Sequence, residues 1–179
     1  MSSLAHQQKA AEHATRQPIR CAILTVSDTR TRADDAGGDL VERLVREAGH
    51  LVSERAIVKD EPGQIRAMLE QWLARSDIDA ILSTGGTGVA KRDTTIEVVR
   101  SLLTAELEGF GELFRMLSWQ QVGAAAMLSR AVGGLVSRDA AAGGDTFLFA
   151  MPGSPNAVET AMTNLIAPQL AHLVWERRE

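Results

Sequence analysis

The sequence holds a single cysteine, Cys21, no tyrosine, and only 4% aromatic residues in a chain of 179. One thiol can close no internal disulfide and build no multi-cysteine metal site, which fits a reducing compartment. Cys21 reads as a small residue of the first strand rather than a nucleophile. So few aromatics leave no platform for stacking nucleic-acid bases. A basic excess is missing as well: the formal net charge is −4, the wrong balance for a nucleic-acid binder. No run is long and apolar enough to span a bilayer, and the first residues lack the apolar core of a signal peptide. A cytoplasmic protein without nucleic-acid or membrane partners is expected. The four histidines are scattered, so His6 and His13 read as solvated and His50 and His172 as structural or exposed. No Ser-His-Asp or Cys-His arrangement emerges from them.

What is present is an ordinary globular composition, 45% apolar and 23% charged, long enough for one domain with a proper core. Residues 1–18 read as a flexible N-terminal arm and residues 19–179 as a single domain. A continuous apolar run over 21–26 has the length of a buried parallel strand. A polar loop then extends through Gly37-Gly38. Leu40, Val41, Leu44, Val45 and Ala48 predict a helix, capped by Gly49. An extended stretch covers 50–58, and Pro62 opens a helix striped by Ile65, Met68, Leu69, Trp72 and Leu73. Trp72 reads as core. A third strand is predicted over 78–82, and a helix from about Thr94.

Further on, residues 113–119 are apolar around too much of a helix for one buried face, which predicts packing against another subunit, with deep burial in the monomer as the alternative. Residues 131–136 and 146–150 predict a hairpin that adds one antiparallel strand. Ser154 and Pro155 start a last helix, which Pro168 should kink or restart. The β-α-β-α-β rhythm predicts an α/β fold: a mainly parallel sheet with helices on both faces. Ligands in such sheets bind beyond the carboxyl ends of the strands, where the topology changes direction.

The stretch from Leu82 to Thr95 falls at such an end. Thr84-Gly85-Gly86-Thr87-Gly88 has three glycines in four positions between a strand and a helix. Bare N–H groups beside a helix N-terminus suit an anion. The loop lacks the Gly-Lys-Ser/Thr of a P-loop and the glycine spacing of the dinucleotide fingerprint. By chemistry alone it is either a phosphate site or a tight turn. Lys91 and Arg92 either offset phosphate charge or form a solvated basic pair. Asp93 and Asp60 either serve helix starts, with Thr94 and Glu97 as a capping box, or bring two hard oxygen ligands to one mouth.

These residues resemble the molybdenum cofactor biosynthesis family, the MoaB/Mog group. Besides Thr84-Gly85-Gly86-Thr87-Gly88 and Arg92-Asp93, the similar segments follow in the family's order. They are Ala22-Ile23-Leu24-Thr25-Val26-Ser27-Asp28, Glu108-Gly109-Phe110-Gly111-Glu112, Leu128-Ser129-Arg130-Ala131 and Met151-Pro152-Gly153-Ser154. Phe114-Arg115-Met116-Leu117-Ser118 and Phe149-Ala150-Met151-Pro152 look most like the MoaB branch. The resemblance implies a three-layer α/β/α fold and a homo-oligomer, a hexamer or a trimer. It implies molybdopterin and Mg-ATP as substrates, and other molybdenum cofactor pathway proteins as partners. The implied reaction is adenylylation of molybdopterin with release of pyrophosphate. Asp60 and Asp93 would be the catalytic acids and hold Mg²⁺. Thr84, Gly85, Gly86, Thr87, Gly88, Lys91, Arg92, Ser27, Pro152, Gly153 and Ser154 would bind substrate or phosphate. Two alternatives stand beside this one: a non-catalytic molybdopterin-binding or carrier protein, and a nucleotide-binding domain with another substrate.

Overall fold

Side chains alternate between two cores along the first strand, β1 (Arg20–Val26). Cys21 and Ile23 join one core, and Ala22, Leu24 and Val26 join the other, as the two-residue period of a strand requires. The computed structural model describes residues 18–139, 141 and 144–178. The arm read over residues 1–18 lies outside these apart from Pro18. After β1 come α1 (Ala36–Glu47), β2 (Leu51–Val58), α2 (Pro62–Leu73), β3 (Ala80–Thr84) and α3 (Thr95–Leu102). A short strand β4 (Ala105–Glu106), α4 (Glu108–Val122) and a 3₁₀ segment (Gly123–Leu128) follow. The chain closes with β5 (Val132–Val136), β6 (Thr146–Met151), α5 (Pro155–Ala161), a π turn (Met162–Ile166) and α6 (Ala167–Glu176).

The strands form one six-stranded sheet in the order β2-β1-β3-β6-β5-β4. All neighbours pair in parallel except β5, which runs antiparallel to both β6 and β4. The hairpin pattern is thus realised. β4 carried no sequence signal, being two exposed residues at the edge. Val41 and Val45 of α1, Phe110 and Phe114 of α4, and Val158 and Leu170 from α5 and α6 cover one face. Ile65, Leu69 and Trp72 of α2, with Ile96 and Val99 of α3, cover the other. This is the expected three-layer sandwich. Trp72 is fully buried, and burying a side chain of this kind contributes roughly 1.5–3 kcal/mol. Phe110 meets Phe149 edge-on, with ring centroids 5.2 Å apart.

Two boundaries differ from the sequence reading by more than one residue at the sheet's site edge. Gly37 and Gly38, read as loop, form the first turn of α1, whose N-cap is Asp35. At Gly38 nothing larger fits, since a Cβ there would lie 2.2 Å from Asp35 Oδ2; at Gly37 it would lie 3.1 Å from the Gly153 carbonyl oxygen. The third strand is displaced from 78–82 to Ala80–Thr84; just before it, Asp79 accepts from the Arg20 backbone N–H and side chain. Pro168 behaves as expected, following the π turn and sitting in the first turn of α6.

From β1 the chain crosses to β2 over α1, then returns past β1 to β3 over α2 on the opposite face. The direction of winding therefore changes between β1 and β3. Their carboxyl ends are where such a sheet leaves a crevice.

Candidate functional site

Beyond β3 the chain turns through Gly85 and Gly86, with φ of +95° and +62°. A Cβ on Gly85 would lie 2.2 Å from the Val26 carbonyl oxygen. One on Gly86 would lie 2.3 Å from Thr95 Oγ1 and 2.7 Å from Asp60 Oδ2. Both positions require glycine, by conformation and by close approach. The Gly85 N–H donates to the Met151 carbonyl at 3.1 Å, tying the loop to β6. Among the described residues no acceptor is paired with the N–H groups of Gly86, Thr87 or Gly88. Those three, rather than the whole glycine segment, are the donors left for an anion.

A cleft of about 160 Å³ opens between the ends of β1, β3 and β6, with Ser27, Gly37, Thr84, Gly85 and Gly153 in its wall. Thr84 is buried and its hydroxyl donates to the Pro152 carbonyl at 3.3 Å. Gly153 packs so closely that a Cβ there would lie 3.2 Å from Gly85 Cα. Ser154 caps α5, accepting from the Ala157 N–H at 3.3 Å. Ser27 Oγ accepts the N–H groups of Thr29 and Arg30 at 3.3 and 3.2 Å. These groups therefore shape and back the loop. Under the cleft, Asp35 accepts from Thr25 Oγ1 and Arg55 Nη2, each at 2.7 Å. Burial works against the Asp35 charge, but the bonds from Arg55, Thr25 and the Gly38 N–H outweigh it and hold its carboxyl below the ordinary range.

The two predicted acids lie against the glycine loop rather than in the wall of that cleft. Asp60 follows β2 and contacts the loop at Gly86; its Oδ1 accepts weakly from the Thr94 N–H at 3.4 Å and hydroxyl at 3.5 Å. Asp93 contacts it at Gly88, where a Cβ would lie 2.5 Å from Oδ2, and that oxygen accepts the Ala90 N–H at 2.8 Å. The fold thus brings together two carboxylates separated in sequence. Desolvation raises the Asp60 carboxyl above its ordinary value, and the charges of Asp93 and Asp28 add to this against the Thr94 N–H bond. Asp28 accepts the Asp60 N–H at 3.2 Å and forms an ion pair with Arg92. Arg92 is therefore not simply solvated; Lys91 is exposed.

The capping box read from Thr94 and Glu97 does not form. Thr94 is the N-cap of α3, but its side chain makes no cap bond and reaches Asp60 instead. Glu97 pairs with Arg130. Arg130 is a residue to which sequence reasoning gave no role. Its Nε donates to the Thr87 carbonyl at 2.9 Å, and its Nη2 to the carbonyls of Gly88 and of Asp93, the latter at 3.1 Å. One guanidinium thus clamps the loop from outside, leaving the loop's N–H groups facing elsewhere. Only its place in the Leu128-Ser129-Arg130-Ala131 segment hinted at it.

Among the described residues no group of three or more His, Cys, Asp or Glu is placed to hold a metal ion. Two carboxylates together with phosphate oxygens are nonetheless the donor set Mg²⁺ uses with nucleotides. The raised Asp60 carboxyl fits that role, because a divalent cation would offset the crowding of Asp60, Asp93 and Asp28. No helix among the described residues is long and apolar enough to cross a membrane.

Comparison with known proteins identifies the family. Residues 22–172 match the family described as a probable molybdopterin binding domain. Over 177 residues the chain is 46% identical to molybdenum cofactor biosynthesis protein B of Bacillus anthracis, covering 98% of each. A solved structure of a molybdenum cofactor biosynthesis protein B is similar at 45% identity and TM-score 0.84, covering 90% of this chain and 97% of that one. The tungsten cofactor synthesizing protein MoaB from Pyrococcus furiosus is similar at 31% identity and TM-score 0.82, with 91% and 99% covered. With fold, motif order and similarity over nearly its whole length in agreement, the chain belongs to the molybdenum cofactor biosynthesis MoaB/Mog family, on its MoaB side.

Proposed function

We propose that the chain binds molybdopterin and adenylylates it with Mg-ATP, releasing pyrophosphate. The observation that carries this reading is the glycine loop itself. It presents N–H groups from Gly86 to Gly88 that are unpaired among the described residues, and bears Asp60 and Asp93 against it. In the proposed step an oxygen of molybdopterin's terminal phosphate forms a bond to the α-phosphorus of ATP. The bond from that phosphorus to the bridging oxygen breaks, and its electron pair leaves with pyrophosphate. The attacking phosphate oxygen is already anionic, so no general base is needed.

In this reading the loop N–H groups hold phosphate oxygens and Lys91 reaches the phosphates from its exposed position. Arg92, shared with Asp28, adds charge at the same rim. Asp60 and Asp93 would hold the magnesium that arrives with ATP. That ion supplies neutralisation of the phosphate charge when bound. Catalysis is then chiefly positioning and electrostatic stabilisation. The chain works in the cytoplasm as a homo-oligomer, a hexamer or a trimer, alongside other proteins of the cofactor pathway.

Incubation with molybdopterin and Mg-ATP tests the reading, following pyrophosphate and the adenylylated pterin together. Stoichiometric appearance of both is expected. Molybdopterin binding without product would replace the enzyme with a carrier, and ATP turnover indifferent to molybdopterin would point to another substrate.

A further inference from the structure

The opposite rim of the sheet holds a second cavity, of about 560 Å³, lined by residues at the starts of β1, β3 and β6 and the end of α6. Four arginines, Arg20, Arg138, Arg177 and Arg178, surround it with three aspartates, Asp79, Asp139 and Asp145. In a chain of net charge −4 this lining carries an excess of cations. Two of the carboxylates are engaged. Asp79 Oδ1 accepts from Arg20 Nη2 at 2.8 Å and from Arg178 Nη2 at 2.7 Å. Asp145 Oδ2 accepts from Arg177 Nε at 2.7 Å. Asp139 is exposed at the margin.

Arg138 is different. Its Nε and Nη2 are sealed from solvent, yet neither has a hydrogen-bond partner among the described residues. A guanidinium cannot relieve this by losing its proton. Buried donors without acceptors cost free energy until an acceptor reaches them. We propose that this cavity binds a small oxyanion, through a phosphate or carboxylate group held by Arg138 with Arg20, Arg177 and Arg178 around it. The planar fork of a guanidinium matches either group through two parallel bonds. The volume is of the size that small-molecule sites have. The site lies across the sheet from the glycine loop and is independent of the reaction proposed there.

Calorimetric titration of the full chain with inorganic pyrophosphate, and separately with succinate, distinguishes the two ligand chemistries. At least one probe is expected to bind the wild type with an affinity that Arg138→Gln weakens ten-fold or more and Arg138→Lys partly restores. Asp60→Asn should leave that component in place. Absence of binding by both probes, or isotherms unchanged in Arg138→Gln, would overturn the proposal. Should Arg138→Gln fail to fold, anomalous scattering from wild-type crystals soaked in selenate decides: a site on Arg138 supports the assignment, and none in this cavity refutes it.

Discussion

Asp60 illustrates how a desolvated carboxylate, crowded by other acids, costs stability. Burial, and then the charges of Asp93 and Asp28, raise its carboxyl above the ordinary value near 3.8. The folded state therefore retains this proton to higher pH than the unfolded chain does. Below the ordinary value both states are protonated and Asp60 has no effect. As pH rises through the raised folded value, stability falls and then levels off. Asp60→Asn removes this loss, so the variant is expected to melt above wild type at pH 7, the gap narrowing as pH drops toward the ordinary carboxylate range. Calorimetric melts across pH check this, and a variant less stable than wild type at pH 7 would contradict it. Function should move the other way. Asp60→Asn and Asp93→Asn are each expected to lower adenylylation by about 100-fold or more, the scale of a lost electrostatic group at a reacting phosphate. Full turnover in either variant, measured as product per chain, would remove that acid from the proposed role.

Among the elements, the strand–loop–helix unit around Gly85 is where sequence and structure can be weighed most closely. The loop's existence and its flanking strand and helix were legible, because three glycines after an apolar run break the pattern visibly. Which N–H groups remain unpaired was not, since the Gly85 bond to Met151 depends on β6, far along the chain. The Arg130 clamp was hidden for the same reason: Thr87 is 43 residues away in sequence. Local pattern also misled at Thr94–Glu97, where tertiary partners Asp60 and Arg130 take both side chains from the capping box. At Gly38, the low intrinsic helix preference of glycine yields to the tight packing of Asp35 and Arg55 around the first turn of α1. Gly85→Ala would force a left-handed residue and place its Cβ on a backbone carbonyl, so a loss of about 3 kcal/mol or more is expected. Urea midpoints check this, and a loss confined to a few tenths would show that the loop is not held as described.

At the scale of the whole molecule, the unusual surface is apolar. Leu113, Met116, Trp119 and Val122 of α4, with Met127 and Leu128 after it, are exposed, Trp119 by 61% and Met127 by 80%. The sequence signal for subunit packing came from the same helix, and a contiguous apolar surface of this kind is ordinarily covered. Sedimentation equilibrium is expected to give a mass that is a multiple of the 19.3 kDa chain, with Trp119→Glu shifting it toward the monomer. A wild-type monomer at micromolar concentration would contradict the assembly. The three-layer architecture, the antiparallel strand and the apolar helix were readable because they rest on periodicity, whereas the chemistry rests on long-range placement. The most direct measurement of the central claim is transfer of labelled α-phosphate from Mg-ATP to molybdopterin. Label is expected in the pterin with wild type and to be lost with the Asp60→Asn, Asp93→Asn double variant. Unlabelled pterin after incubation with folded, molybdopterin-binding wild type would contradict the account.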